Sequence, residues 1–307
     1  MSNQNERLMW FKGDIVPVSQ ATVNVLSPTS QFGANVFEGL RAYWNDTEQQ
    51  LYILKLQEHT QRLQQSIKMM RFQSDYSNEF LNSSVIDIIK ANNFKEDIVC
   101  RQTIFLDGFG SWASVESVEM FIAPMAKGRA YPPSKIGINV CISSWERISD
   151  KSMSPKIKMG ANYMNSRAGQ MEAVRNGYDS TIFLNDNGKV SEGPGSCLFM
   201  VRDGKLITPP VTASILESIT RDFIINIARD ELGLEVLERD IDRTELYIAD
   251  EVFMCGTAVE IVPVLSVDRL DVGNALKGEI TLKLERLYFD IVRGLIPKYK
   301  SLLTKVY

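Results

Sequence analysis

Lys156-Ile157-Lys158-Met159-Gly160-Ala161-Asn162-Tyr163 passes from a strand-like stretch, through two small residues, to a helix start. A lysine placed on such a strand projects its amine into a cleft. There, desolvation or a neighbouring cation lowers the amine's pKa and makes it able to form a Schiff base with a carbonyl carbon. On an open face the same residue is an ordinary solvated lysine. Spacing alone is compatible with both.

Downstream, residues 163–176 carry a helical pattern closed by Gly177. A hairpin is expected across 181–184 and 189–190, with Asn187-Gly188 as a type I′ turn pair, and Asp203-Gly204 repeats that signal between strands at 196–201 and 205–208. Helices are expected over 221–232, 243–249 and 280–295. Upstream, a strand at 136–143 follows the segment 125–133, which breaks every period and carries Lys127-Gly128-Arg129 and Pro132-Pro133. Before it come strands at 98–106 and 118–123, a helix with Leu81, Val85, Ile88 and Ile89 on its apolar stripe, and another carrying His59, Leu63, Ile67 and Met70. The chain opens with a hairpin turning at Lys12-Gly13-Asp14 and a further strand at 21–26. The pattern predicts an α+β protein: a small N-terminal α/β domain over 1–126, an interdomain loop over 127–135, and a larger mixed domain over 136–307.

Composition narrows the chemistry. Of 307 residues, 44% are hydrophobic and 23% charged, with 34 basic against 38 acidic side chains, a net charge of −4, as in a folded globular protein. The single histidine, His59, rules out a multi-histidine metal centre, and no histidine is left for a triad elsewhere. Acid–base work away from it falls to Lys, Tyr, Asp or Glu. Cys100, Cys141, Cys197 and Cys255 lie far apart without a CxxC pair, which reads as reduced cytoplasmic thiols. Residues 1–7 lack the apolar core of a signal peptide, and no apolar run approaches the roughly 18–20 residues of a membrane helix. Basic residues are scattered among acids, so neither nucleic acid nor an anionic membrane is an expected partner.

Lys158-x-Gly160-x-Asn162-Tyr163 resembles the Schiff-base lysine segment of the class IV (fold-type IV) pyridoxal-phosphate aminotransferases, above all their branched-chain amino-acid branch. Four further stretches match in the family's order across nearly the whole chain. They are Phe32-Gly33-x-x-Val36-Phe37-Glu38-Gly39-Leu40-Arg41, Glu58-His59-x-x-Arg62-Leu63, Ser191-Glu192-Gly193-x-Gly195, and Asp250-Glu251-Val252-Phe253-Met254-Cys255-Gly256-Thr257-Ala258. The resemblance implies a D-amino-acid-aminotransferase-like architecture, pyridoxal 5′-phosphate as cofactor, amino acids and 2-oxo acids as substrates, a homodimer or higher homo-oligomer, and no metal.

It also implies roles. Lys158 holds the cofactor and shuttles a proton. Arg62 clamps the phosphate; taken alone it reads as a surface arginine paired with Glu58. Glu192 faces the pyridine nitrogen and keeps it protonated; alone it is an exposed turn glutamate. Tyr163 reaches the phenolic oxygen. The amides of Ile219 and Thr220 bind phosphate at a helix start, where Ser218 is also a good N-cap. Thr257 offers its side chain to the phosphate, and the amides of Thr257 and Ala258 take the substrate carboxylate. Arg101 receives the side-chain carboxylate of glutamate, or else forms a structural ion pair. Phe37, with Phe32, Trp112 and Met125, is either pocket wall or core. His59 reads as a packing residue.

Departures from the family pattern gather on the substrate side. Bacterial branched-chain enzymes often carry tyrosine where Phe32 and Val99 stand. Cys197 replaces a frequent asparagine, Ser218 a frequent glycine, and the loop 125–131 lacks the usual tryptophan. The expected activity is transfer of an amino group between branched-chain L-amino acids (Leu, Ile, Val) and 2-oxoglutarate, in amino-acid biosynthesis. The alternatives on this scaffold are a D-amino-acid or (R)-amine transaminase, an aminodeoxychorismate lyase, or a non-catalytic cofactor-binding protein.

Overall fold

Strands rich in buried apolar residues assemble into two sheets, each at the centre of one of two compact units. The computed structural model describes residues 7–307, so the reading of the extreme N-terminus lies outside the described residues, save for Arg7.

Among the described residues, the first unit comprises 7–128, 157–161 and 290–307. Its elements are β1 (Leu8–Phe11), β2 (Asp14–Pro17), α1 (Pro28–Phe32), β3 (Asn35–Asn45), β4 (Gln50–Leu54), α2 (Leu56–Met69), α3 (Asn78–Asn92), β5 (Ile98–Leu106), β6 (Val118–Ala126) and the C-terminal β15 (Leu303–Lys305). The strands form an antiparallel sheet in the order β15-β4-β3-β5-β6-β1-β2. Leu63 and Ile67 of α2 and Leu81, Val85, Ile88 and Ile89 of α3 join Val36, Leu40, Ile104 and Ile122 of the sheet in one core. Both expected helical stripes are therefore the buried faces of real helices.

Two expectations fail in this unit. Residues 21–26 form no strand, and Val25 and Leu26 are exposed, because the segment pairs with no neighbour that would cover it. β6 runs on to Ala126, held by β5 along its whole length, so Met125 belongs to the sheet and not to a linker.

The second unit comprises residues 129–156 and 162–289. It contains β7 (Ile138–Ile142), α4 (Tyr163–Arg175), β8 (Ser180–Ile182), β9 (Cys197–Arg202), β10 (Lys205–Thr208), α5 (Ile219–Leu232), β11 (Val236–Glu238), β12 (Glu251–Gly256), β13 (Glu260–Val267) and β14 (Leu270–Asp271). α6 (Glu279–Val292) runs from this unit into residues counted with the first. The sheet order is β11-β10-β9-β12-β13-β7-β8, with β14 beside β13. The pairs β10–β11, β13–β7 and β7–β8 are parallel, so the sheet is mixed.

Asp203 and Gly204 both adopt positive φ, 51° and 71°, as a type I′ turn requires. The turn at Gly188 differs. Only Gly188 is left-handed, and its N–H donates to the Asn185 carbonyl at 2.9 Å, which makes it the last residue of a turn over 185–188. The expected helix at 243–249 is a 3₁₀ helix, Arg243–Ile248, opened by a capping box between Asp242 and Glu245.

The expected single division at 127–135 into a small and a large domain is corrected by these units. They are nearly equal in length, and the first recruits two distant segments. β15 pairs with β4, and 157–161 joins through a Val36–Met159 bridge and the Phe37 N–H donating to the Lys158 carbonyl at 2.9 Å. Lys158 thus sits on a short bridged segment beside β3, not on a regular strand.

Leu63, fully buried on α2, tests how far that helix depends on its packing. Leu63→Ala is expected to lower the unfolding free energy by about 3 kcal/mol, read by urea denaturation, and Leu63→Met by less than about 1.5 kcal/mol.

Candidate active site

In the first unit the chemistry is organised by β3 and α2. Glu38 on β3 is 0% exposed. Arg62 donates from Nε to its Oε1 and from Nη2 to its Oε2, each at 2.8 Å, and His59 Nδ1 lies 2.7 Å from Oε2. The spacing of His59 and Arg62, three apart on one helical face, lets both reach the same carboxylate. Burial alone would raise the Glu38 pKa. The charge and hydrogen bonds of Arg62, helped by His59, overcome this and hold it at about 2. His59 is buried and its pKa is lowered, chiefly by desolvation, with Glu38 acting the other way. A neutral ring beside an ionised carboxylate donates from Nδ1. Glu58, the partner that helical spacing suggested for Arg62, instead meets Lys55 at 3.6 Å.

Four residues beyond Arg62, Ser66 accepts the Lys158 backbone N–H at 3.2 Å. Lys158 is therefore pinned by its N–H to α2 and by its C=O to β3, and its Nζ lies 5.0 Å from the centre of the Phe37 ring. Arg101 on β5, paired across the sheet with Gly39, places its guanidinium carbon 3.7 Å from the same ring centre. Its Nε also donates to Thr103 Oγ1 at 3.4 Å. Lys158 Nζ and Arg101 thus meet at the Phe37 ring, while Arg62 is tied to Glu38, the next residue of β3. Of the four apolar wall residues, only Phe37 is buried. Phe32 and Trp112 are exposed and pack edge-on at 6.1 Å, and Met125 is exposed as well.

In the second unit Glu192 is 4% exposed, so it is no open turn residue. Its Oε1 accepts Arg147 Nε at 3.0 Å, Arg147 Nη2 at 2.8 Å and the Leu216 amide at 3.2 Å, while the Cys197 thiol lies 3.9 Å from Oε2. Arg147 is itself buried, with Nη1 on Asn165 Oδ1 at 3.2 Å and Ser166 Oγ at 3.3 Å. Sequence reasoning missed Arg147. It stands in irregular chain without a periodic pattern, and the one signal for it is that a buried carboxylate needs a partner.

Ser218 caps α5: its Oγ accepts the Arg221 amide at 3.2 Å and its carbonyl the Asp222 amide at 3.0 Å. The amides of Ile219 and Thr220, at the first two helical positions, have no acceptor within the helix and face outward with the dipole's positive end. Thr220 Oγ1 lies 3.4 Å from Thr257 Oγ1, so two segments 37 residues apart meet. Arg221, also missed, is buried and anchors this end on Thr208 Oγ1 at 3.1 Å, the Pro209 carbonyl and Glu238, both at 2.8 Å. Thr257 and Ala258 lie in the tight turn joining β12 to β13. Gly256 stands before that turn, where a Cβ would make a tight 3.2 Å contact with the Gly195 carbonyl. Gly195 in turn lies under Tyr163, whose ring would be 3.9 Å from a Cβ at that position. Among the described residues no group of three or more His, Cys, Asp or Glu is arranged to hold a metal ion, and no helix is long and apolar enough to cross a membrane.

The family model described as amino-transferase class IV matches residues 35–267, a span that takes in Glu38, Arg62, Lys158, Glu192 and Thr257. The chain belongs to this family. Among class IV relatives, a probable branched-chain-amino-acid aminotransferase of Aquifex aeolicus is 40% identical over 300 residues, covering 97% of this chain and 96% of its own. The branched-chain-amino-acid aminotransferase of Escherichia coli is 38% identical, with 96% of each chain covered. In structure, the branched-chain amino acid aminotransferase of Thermobaculum terrenum, solved in its PLP form, aligns with a TM-score of 0.93 at 40% identity over 99% of this chain and 100% of that one. The mixed α+β architecture is thus the class IV fold.

The Glu38 cluster carries a pH signature. His59 and Glu38 both bind protons less readily in the folded protein than their ordinary values near 6.5 and 4.5. Their contribution to folding stability is therefore fully present above these values. It falls with acidification, first as pH drops below about 6.5 and again below about 4.5 toward 2. Urea denaturation between pH 8 and pH 5 should show a smaller acid loss in His59→Asn, which keeps a donor at the Nδ1 position but cannot titrate. An equal loss in both proteins would show that His59 contributes nothing to it.

Proposed function

We propose that this class IV aminotransferase uses pyridoxal 5′-phosphate to move the amino group between leucine, isoleucine or valine and 2-oxoglutarate. The observation that carries the substrate reading is the Phe37 ring with Arg101 stacked on it at 3.7 Å. An apolar surface bordered by a guanidinium suits an aliphatic side chain and, in the other half of the reaction, the distal carboxylate of glutamate.

Within each unit, the donors have the chemistry that the cofactor's groups call for. Arg62, the Ile219 and Thr220 amides and the Thr257 hydroxyl suit a phosphate, Glu192 a pyridinium nitrogen, Tyr163 a phenolic oxygen and Lys158 an aldehyde carbon. When bound, pyridoxal phosphate supplies the electron sink that stabilises negative charge at the substrate α-carbon. Lys158 Nζ would hold the cofactor, and its amine would carry the proton that leaves the α-carbon. Arg147 is paired with Glu192 at 2.8 Å, and a carboxylate so held would favour a protonated ring nitrogen beside it. The amides of Thr257 and Ala258 take the substrate α-carboxylate without a dedicated arginine. The four cysteines are free and buried, and we take the protein to be cytoplasmic. We take the working unit to be a homodimer or higher homo-oligomer, to be checked by light scattering.

Lys158→Ala is expected to cut L-leucine:2-oxoglutarate transamination by about a thousandfold or more, measured as steady-state turnover. A donor panel of L-leucine, D-alanine, (R)-phenylethylamine and aminodeoxychorismate should show turnover with L-leucine; D-alanine turnover in its absence would overturn the proposal. Arg101→Leu should raise KM for 2-oxoglutarate by about tenfold, the worth of one charge-assisted contact, while leaving the L-leucine half-reaction nearly unchanged.

A further inference from the structure

We propose that Glu38 is a positioning residue for the cofactor phosphate, acting through Arg62, and that His59 locks Glu38 in place for that task. The proposal rests on the reading above that Arg62 receives the phosphate.

The geometry is specific. A guanidinium has two edges that match a carboxylate or phosphate bidentately: the Nε/Nη2 edge and the Nη1/Nη2 end. Glu38 takes the first edge with both oxygens at 2.8 Å. This sets the guanidinium plane and leaves Nη1 on the side opposite the Glu38 carboxylate. The carboxylate is held in turn: His59 Nδ1 approaches Oε2 at 2.7 Å, and Glu38 sits within the long β3–β5 ladder, paired with Gln102. A long arginine side chain otherwise retains several rotatable bonds that a ligand must freeze on binding. With Glu38 in place that ordering is done when the chain folds.

Charge supports the same assignment. Glu38 stays ionised down to about pH 2, and His59 is driven toward its neutral form. At neutral pH the cluster therefore carries one anion and one cation, and His59 adds no charge of its own. Arg62 is thus stable in a largely buried position before any ligand arrives, which an unpaired guanidinium would not be. The two residues that fix Lys158, Phe37 through its N–H and Ser66 through its hydroxyl, lie one position before Glu38 and four after Arg62. Glu38 thereby sets Arg62 in register with the lysine.

The test compares full-chain holoprotein of wild type, Glu38→Gln, Arg62→Ala and the double variant, following loss of bound pyridoxal 5′-phosphate by its visible absorbance. Pyridoxal, which lacks the phosphate, serves as the control ligand. Glu38→Gln should weaken retention of pyridoxal phosphate by about tenfold or more, leave pyridoxal binding within about twofold, and add nothing in the Arg62→Ala background. His59→Leu should lose part of the same retention, and His59→Asn should recover it; this pair stands in if Glu38→Gln does not fold. Equal losses for pyridoxal and its phosphate would overturn the proposal, as would an undiminished effect of Glu38→Gln without Arg62. If Arg62→Ala itself retains the cofactor normally, the phosphate role of Arg62 falls, and this inference with it. That outcome differs from one in which Arg62 matters and Glu38 does not.

Discussion

A carboxylate taken out of water must be paired, and two such carboxylates order the chemistry of this protein. Glu38 has no exposed surface and is met by Arg62 and His59; Glu192 is almost as deeply buried and is met by Arg147. Removing two opposite charges from water costs several kcal/mol per ion, which the pair recovers only with good hydrogen-bond geometry. Both clusters have that geometry, with Arg–Glu contacts at 2.8–3.0 Å. Such pairs add little to net stability compared with an apolar core. Their value lies in holding a charged group at one orientation.

That orientation is transmitted by short connections. In the first unit, β3 supplies Phe37 and Glu38 on consecutive residues, and α2 supplies His59, Arg62 and Ser66 on one face. The lysine segment 157–161 is far away in sequence, yet two backbone hydrogen bonds register it against both elements. In the second unit the capped start of α5 and the β12–β13 turn bring Thr220 and Thr257 to 3.4 Å, with buried Arg221 securing the helix. Neither arrangement needs a metal or a histidine base. The single histidine instead buttresses a carboxylate, which explains why a chain so poor in imidazole is not poor in chemistry.

Local patterns carried much of the fold. The apolar stripes of α2 and α3, the N-terminal hairpin and the Asp203-Gly204 turn follow from helical and strand periods and from the φ values that glycine and aspartate tolerate. Failures came where a neighbour decides. Residues 21–26 have strand-like composition but no partner strand, and Asn187-Gly188 has the residues of a type I′ turn but closes one position earlier. β6 outruns its expected end because β5 offers it hydrogen bonds to Ala126.

By itself, the sequence determined the residue inventory: one lysine segment, five ordered motifs, one histidine and no clustered cysteines. From these, the class of chemistry and the branch of the family were readable, because short motifs encode local geometry. Which charges are buried, and against what, was decided only by tertiary structure. Helical spacing points to Glu58 rather than Glu38 as the partner of Arg62, and no local pattern marks Arg147. Pairings between Glu38 and Arg62, or Arg147 and Glu192, span tens of residues. Neither helical period nor strand alternation reaches that far, and the cost of an unpaired buried charge acts only after the chain has closed around it.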